Sequence, residues 1–254
     1  MDWSKLLGLP PVASEHGRHV DDLIIYMHWL MIALFVGWLA YFAYALIRFR
    51  RGRNPKADYV GVRSHTSSYI EVAVAVVEGA LLVCLAIPLW AKAVEKYPDK
   101  RQATVIHVVG QQFNWNAMYA DKEGEFGRQE MTFVNATNLF GLDPSDPRSK
   151  NNVQVTGLGE MHVPVNKPVI CYISSKDVIH SFKVIAMRVT QDAIPGMRIP
   201  LWFTPVKEGR YQINCAQLCG NSHSAMAAGM LVVESQTAFD KWLGSKSGGT
   251  VSFE

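Results

Sequence analysis

Hydrophobic positions along this chain fall into two regimes. Residues 23–47 carry no charged side chain, and residues 69–91 are interrupted only by Glu71, Glu78 and Pro88. Each run is long enough to cross a bilayer as a helix, which takes about 20 apolar residues. From residue 103 onward the pattern changes to short alternating or β-branched runs separated by Gly, Pro and Asn. Strands are predicted over 104–109, 153–155, 169–173, 178–186, 201–206, 210–214 and 228–234, a spacing suited to an all-β sandwich or barrel. The stretch 140–152, with Asp143-Pro144 and Asp146-Pro147, reads as an exposed loop. Ser235 is placed to cap a short final helix ending near Leu243. No internal repeat is visible.

These elements predict an α+β membrane protein: an external N-terminal segment 1–22, a transmembrane hairpin 23–91, a β-domain 92–245 and a flexible tail 246–254. The helices of the hairpin span about 23–47 and 69–91, with a loop 48–68 between them. The first apolar run is too long for a cleaved signal peptide and is followed by an arginine cluster. No cysteine near the N-terminus offers a lipidation site. Basic residues set the orientation. The connecting loop carries Arg48, Arg50, Arg51, Arg53, Lys56 and Arg63, whereas residues 1–22 hold only Lys5 and Arg18 among four acids. The loop is therefore expected in the cytoplasm and both termini outside. This corresponds to a multi-pass protein of a bacterial-type plasma (inner) membrane with its β-domain on the periplasmic side.

Composition adds little to that division. Of 254 residues 49% are hydrophobic, and a mean hydropathy of +0.05 averages two unlike halves. Residues 92–254 hold 17 basic and 15 acidic side chains, a net of +2. The lipid bilayer is an expected partner; nucleic acid is not.

The chemistry is concentrated in Cys215-Ala-Gln-Leu-Cys219-Gly-Asn-Ser-His223-Ser-Ala-Met226, with His180 upstream in the run Val178-Ile179-His180-Ser181-Phe182. Two thiols, two imidazoles and a thioether form a soft donor set that favours copper over the oxygen-seeking magnesium and calcium. One cysteine is surplus to a mononuclear blue-copper site, which takes one Cys, two His and a weak axial Met. Two thiolates are able instead to bridge two copper ions, each with one terminal imidazole and one weak axial group. The residues alone leave three alternatives standing: a Cys215–Cys219 disulfide, a closed structural zinc site with the two histidines, and coincidence.

The run C-x3-C-x3-H-x2-M, together with Asp177-Val178-Ile179-His180-Ser181 and Gln191-Asp192-Ala193-Ile194-Pro195-Gly196, resembles subunit II of haem-copper cytochrome c oxidases. The resemblance extends from about residue 20 to 245 and implies a cupredoxin-like Greek-key barrel after the hairpin. It also implies a binuclear copper A centre held by His180, Cys215, Cys219, His223, Met226 and the backbone carbonyl of Gln217. Two departures stand out. Phe113 occupies the position of the tryptophan through which electrons usually enter, with Trp115 matching a second aromatic. Gln217 replaces a glutamate whose carboxylate often reaches a magnesium site, so magnesium is not expected. Glu71 lies where family members place an acid close to a proton-uptake mouth, and an interfacial acid reaching headgroup water is the competing reading. Glu78 is read as facing a partner helix.

The resemblance implies a subunit of a proton-translocating terminal oxidase. Electrons arrive singly from a c-type cytochrome or a donor complex and pass to haem in subunit I, where oxygen is reduced to water. Haems are expected only in partner subunits, since no Cys-x-x-Cys-His occurs in this chain. A basic cytochrome is steered best by an acidic field, and the only such run here is 121–130. Two other readings remain: the same electron-input role in a nitric oxide reductase, separated by the identity of the catalytic subunit, and a membrane-anchored copper carrier, separated by reversible and exposed copper binding.

Overall fold

The computed structural model describes residues 3–56, 59–61, 63–157 and 159–246; the tail expected beyond 246 lies outside them. The described residues form two compact units, 3–8 with 19–92 and 9–18 with 93–246.

The first unit is helical: α1 (Trp3–Leu6), α2 (Gly17–Arg48), α3 (Thr66–Leu81), a π-helical turn (Leu82–Ala86) and α4 (Ile87–Glu95). The last three run on as one helix of 30 residues, and α2 has 32. At about 1.5 Å per residue both exceed the thickness of a bilayer core. Large apolar side chains stand exposed along both helices, among them Phe35, Trp38, Phe42, Val76, Leu82 and Trp90. A helix apolar all round belongs in lipid or against other helices. The π-helical turn has a local cause. Pro88 has no N–H to give to the Cys84 carbonyl and its ring crowds that carbonyl, so the preceding turn widens.

The second unit contains eleven strands: β1 (Thr104–Gln111), β2 (Asn114–Tyr119), β3 (Val153–Val155), β4 (Glu160–Pro164), β5 (Val169–Ser175), β6 (His180–Val184), β7 (Val189–Ala193), β8 (Ile199–Phe203), β9 (Gly209–Gln212), β10 (Asn214–Cys215) and β11 (Met230–Glu234). They form three sheets, ordered β3-β2-β1-β5-β8, β10-β6-β7 and β4-β11-β9. β1 runs parallel to β5, and β4 parallel to β11. Among the described residues no hydrogen-bonded ladder joins the three sheets into a closed ring, so the β-domain is a packed set of open sheets. Their inner faces meet in one core that includes Val108, Ile173, Phe182, Met187, Phe203, Ile213 and Leu231. A Phe182→Ala change there would cost about 3–5 kcal/mol through lost transfer energy and a cavity.

All seven predicted strands are present, 153–155 with the same bounds and the other six with shifted ends, and four others were not separately predicted. β2 and β4 were missed outright; β7 falls inside a motif, and β10 was merged with β9. The final helix α5 (Gln236–Lys246) begins as expected, with Ser235 Oγ accepting from the Ala238 amide at 3.3 Å. The stretch 140–152 is not simply exposed, because Phe140, Leu142 and Asp143 are buried. It belongs to a long excursion between β2 and β3 that covers the outer face of the five-stranded sheet, its Phe140 and Leu142 packing with Val109 of β1 and Met118 of β2. Residues 9–18 also join this unit. The Ala13 amide donates to the Ala186 carbonyl at 2.8 Å, and the Ala13 carbonyl accepts from Val206 at 2.8 Å.

Candidate metal centre

Strand pairing brings the two parts of the site together. In the antiparallel β6–β10 ladder Cys215 lies opposite Phe182, so His180 at the start of β6 sits beside the end of β10. The chain then turns through Gly220, whose φ of +137° suits glycine. A Cβ at that position would also lie 3.0 Å from the Gln112 side-chain nitrogen and from the Phe113 ring. A short 3-10 segment, His223–Ala228, carries His223 and Met226 back under the loop.

The donor atoms converge. Cys215 Sγ, Cys219 Sγ and a ring nitrogen of His180 lie within 4.8 Å of one another. His180 Nδ1 stands 3.1 Å from Met226 Sδ and 3.9 Å from Cys215 Sγ. Cys219 Sγ lies 3.4 Å from both His223 Nδ1 and Met226 Sδ. The Gln217 carbonyl oxygen is 3.0 Å from Cys215 Sγ, while its side chain points to solvent. Both cysteines are free thiols, so no disulfide ties the loop. All six sequence-predicted positions therefore meet at one place. His180 and Met226 are fully buried, Cys219 nearly so, and Cys215 and His223 half-buried.

The electrostatics suit a cation. Burial and the adjacent Cys215 sulfur push the Cys219 thiol up to about 11, so two thiolates cannot coexist here at neutral pH without positive charge between them. Metal binding displaces such protons. The outer nitrogen of His180, Nε2, sits 2.8 Å from Asp177 Oδ1. Burial opposes the charge on Asp177, but the Gln112 amide, the His180 ring and the Val178 amide together hold its carboxyl below the ordinary value. A carboxylate on Nε2 fixes the tautomer that leaves Nδ1 free as a donor, the usual support for a metal-binding imidazole.

Sequence reasoning assigned no role to Asp177, although it stands three residues before His180. It also missed Gln112, whose amide donates to Asp177 Oδ2 at 2.7 Å and whose side chain donates to the Cys219 carbonyl at 2.7 Å. Gly110 is a third: a Cβ there would lie 3.0 Å from the His180 ring and 3.1 Å from Trp115. Trp115 is buried against Phe182 at 5.3 Å and His180 at 6.0 Å between ring centroids, whereas Phe113 is half-buried beside the ligand loop. Glu71 lies in the other unit, exposed on α3 and outside this cluster.

Fold and cluster together define a protein with two membrane-length helices and a β-domain bearing a soft, sulfur-rich ligand site. A family model described as the periplasmic domain of cytochrome c oxidase subunit II matches residues 104–235, more than half of the chain, and the chain belongs to that family. The alternative cytochrome c oxidase subunit 2 of Bradyrhizobium diazoefficiens is 29% identical over 233 residues, spanning 92% of this chain and 82% of the relative. Cytochrome c oxidase subunit 2 of Cereibacter sphaeroides is 30% identical over 253 residues, spanning 96% and 81%. A crystal structure of the periplasmic domain of subunit II from Bradyrhizobium japonicum aligns with 56% of this chain and 92% of its own at 29% identity, with a TM-score of 0.41. The chain is thus a subunit of an oxidoreductase, the electron-input subunit of a cytochrome c oxidase, with a periplasmic-type cupredoxin-like domain.

Proposed function

We propose that His180, Cys215, Cys219, His223, Met226 and the Gln217 carbonyl hold a binuclear copper A centre, through which electrons from a c-type cytochrome or donor complex reach haem in subunit I. The observation that carries this reading is the convergence of two free thiols, two imidazole nitrogens and a thioether on one buried point. Structural zinc is closed by four Cys or His ligands; a thioether and a carbonyl directed at the same point favour copper. A binuclear copper centre held by these residues would supply a one-electron store. The protein's share is positional. The β6–β10 ladder fixes His180 against Cys215, Asp177 holds the His180 tautomer, and Gln112 ties the loop at the Cys219 carbonyl. Trp115 and the sheet behind it keep water from Met226.

Phe113, half-buried at the loop, and Trp115 behind it are assigned to coupling with the donor; unchanged electron-uptake rates in F113L and W115L would remove both. Glu71 is assigned to the proton-uptake side of the partner subunit. Oxygen reduction to water and proton translocation belong to subunit I, within an inner-membrane assembly whose copper domain faces the periplasm. Elemental analysis and electron-spin spectroscopy test the centre. Two copper ions per chain and a delocalised mixed-valence signal are expected, both lost in C215S and C219S, because a serine hydroxyl does not replace a soft thiolate donor. Zinc in place of copper, or full oxidase activity in either serine variant, would overturn the assignment.

A further inference from the structure

A cavity of about 420 Å³ lies away from the ligand loop, lined by Lys100, Glu125, Phe126, Gln129, Tyr172 and Arg198. Its floor is the outer face of the five-stranded sheet, where His107 on β1 pairs with Tyr172 on β5 and Tyr172 with Pro200 on β8. Its wall comes from the excursion between β2 and β3, which contributes Glu125, Phe126 and Gln129. Ordered connections of this length are commonly functional.

Arg198 is the unusual member. Its Nη2 donates to Gln129 Oε1 and lies 3.4 Å from His107 Nδ1. The guanidinium carbon sits 5.8 Å from the Phe126 ring centroid. Gln129 is itself anchored, donating from Nε2 to the Phe140 carbonyl at 2.9 Å. These partners are neutral, and no carboxylate pairs with Arg198 among the described residues. Lys100 at the rim is already 3.2 Å from Glu125, which leaves the cavity one positive charge in excess. Both polar contacts of Arg198 use Nη2, so the Nη1 and Nε protons remain as separate single donors. The Arg198 side chain is exposed on the cavity lining and keeps its charge, while partial desolvation lowers its pKa from the ordinary value.

We propose that this cavity is an oxyanion site, in which the Arg198 guanidinium, assisted by Lys100, binds a carboxylate or phosphate group. The free Arg198 protons and the Lys100 ammonium supply charge-assisted donors for its oxygens, and the Phe126 and Tyr172 rings line the same cavity. The oxyanion has two sources, a small anion of the surrounding medium or a carboxylate side chain of a neighbouring oxidase subunit.

Calorimetric titration of the full-length chain in detergent with inorganic phosphate, and separately with acetate, in chloride-poor buffer tests the site. Saturable binding of at least one anion is expected, weakened about ten- to a hundredfold in R198Q and partly restored in R198K, with near-ultraviolet circular dichroism confirming that both variants are folded. The same titration on the assembled oxidase separates the sources. Retained binding identifies a free anion. Binding lost on assembly, with the R198Q subunit dissociating from the oxidase at lower salt than wild type, identifies a partner carboxylate. If neither anion binds with any dependence on residue 198 and the R198Q oxidase holds this chain as firmly as wild type, the proposal fails.

Discussion

Acid should destabilise the β-domain through one buried residue outside the ligand cluster. His107 is buried on β1 between the sheet and the β2–β3 excursion, and burial, with the nearby Arg198 cation, lowers its pKa to about 3. Unfolded, the ring would titrate near 6.5. Below that value the unfolded chain takes up a proton that the folded chain refuses, so stability falls with pH and keeps falling until about 3. Each pH unit in that window removes about 1.4 kcal/mol, so the folded state at pH 5 loses about 2 kcal/mol relative to pH 7 from His107 alone. For a domain of this size that is about 4–8 °C in melting temperature. The assay is thermal melting followed by near-ultraviolet circular dichroism at both pH values, on the wild type and on H107Q. Glutamine keeps an acceptor for Gln129 and Arg198 but does not titrate. H107Q should melt lower at pH 7, yet lose about 4–8 °C less on moving to pH 5. Parallel losses in the two proteins would show that the folded state accommodates the charged ring, and the reasoning would be refuted.

At still lower pH, Asp143 takes over. Hydrogen bonds from Arg128 and Ser145 hold its carboxyl at about 2, so its contribution is complete above about 4 and disappears as pH falls towards 2. D143N should flatten that acid limb in a denaturation series, and an unchanged limb would deny the pairing any weight. Gly110→Ala places a methyl against the His180 and Trp115 rings. A destabilisation of about 1–3 kcal/mol is expected from such overpacking, with a displaced imidazole altering the copper spectrum; a wild-type melting curve and spectrum would contradict the contact. Met226→Leu should keep copper but shift its reduction potential, since a thioether is a weak donor that would tune a site held by the thiolates and imidazoles. An unshifted potential would remove Met226 from the ligand set.

Local patterns were legible wherever the reason for them was local. Two long apolar runs predict helices of membrane-spanning length because the hydrocarbon core tolerates neither free backbone polar groups nor charge, and two such helices are present. The spacing of Cys215, Cys219, His223 and Met226 marked a soft metal loop because all four lie within one turn of chain. Strands failed to show where the residues were ambiguous. β2 reads Asn-Trp-Asn-Ala-Met-Tyr, with two poor strand formers, and is a strand because β1 and β3 pair with it on either side.

Other features depended on contacts between residues remote in sequence. His180 reaches Cys215 across a separation of 35 only because β6 and β10 pair. Phe140 and Asp143 look like loop residues until the excursion folds onto the sheet. The tautomer of His180, the tie at Gln112 and the neutral setting of Arg198 each need partners brought in by other strands. Periodicity and ligand spacing are written in neighbouring residues, so the chain alone determined the two long apolar helices and the composition of the ligand loop. Burial and charge balance are sums over whatever the fold packs around a side chain, and those only the tertiary structure decided.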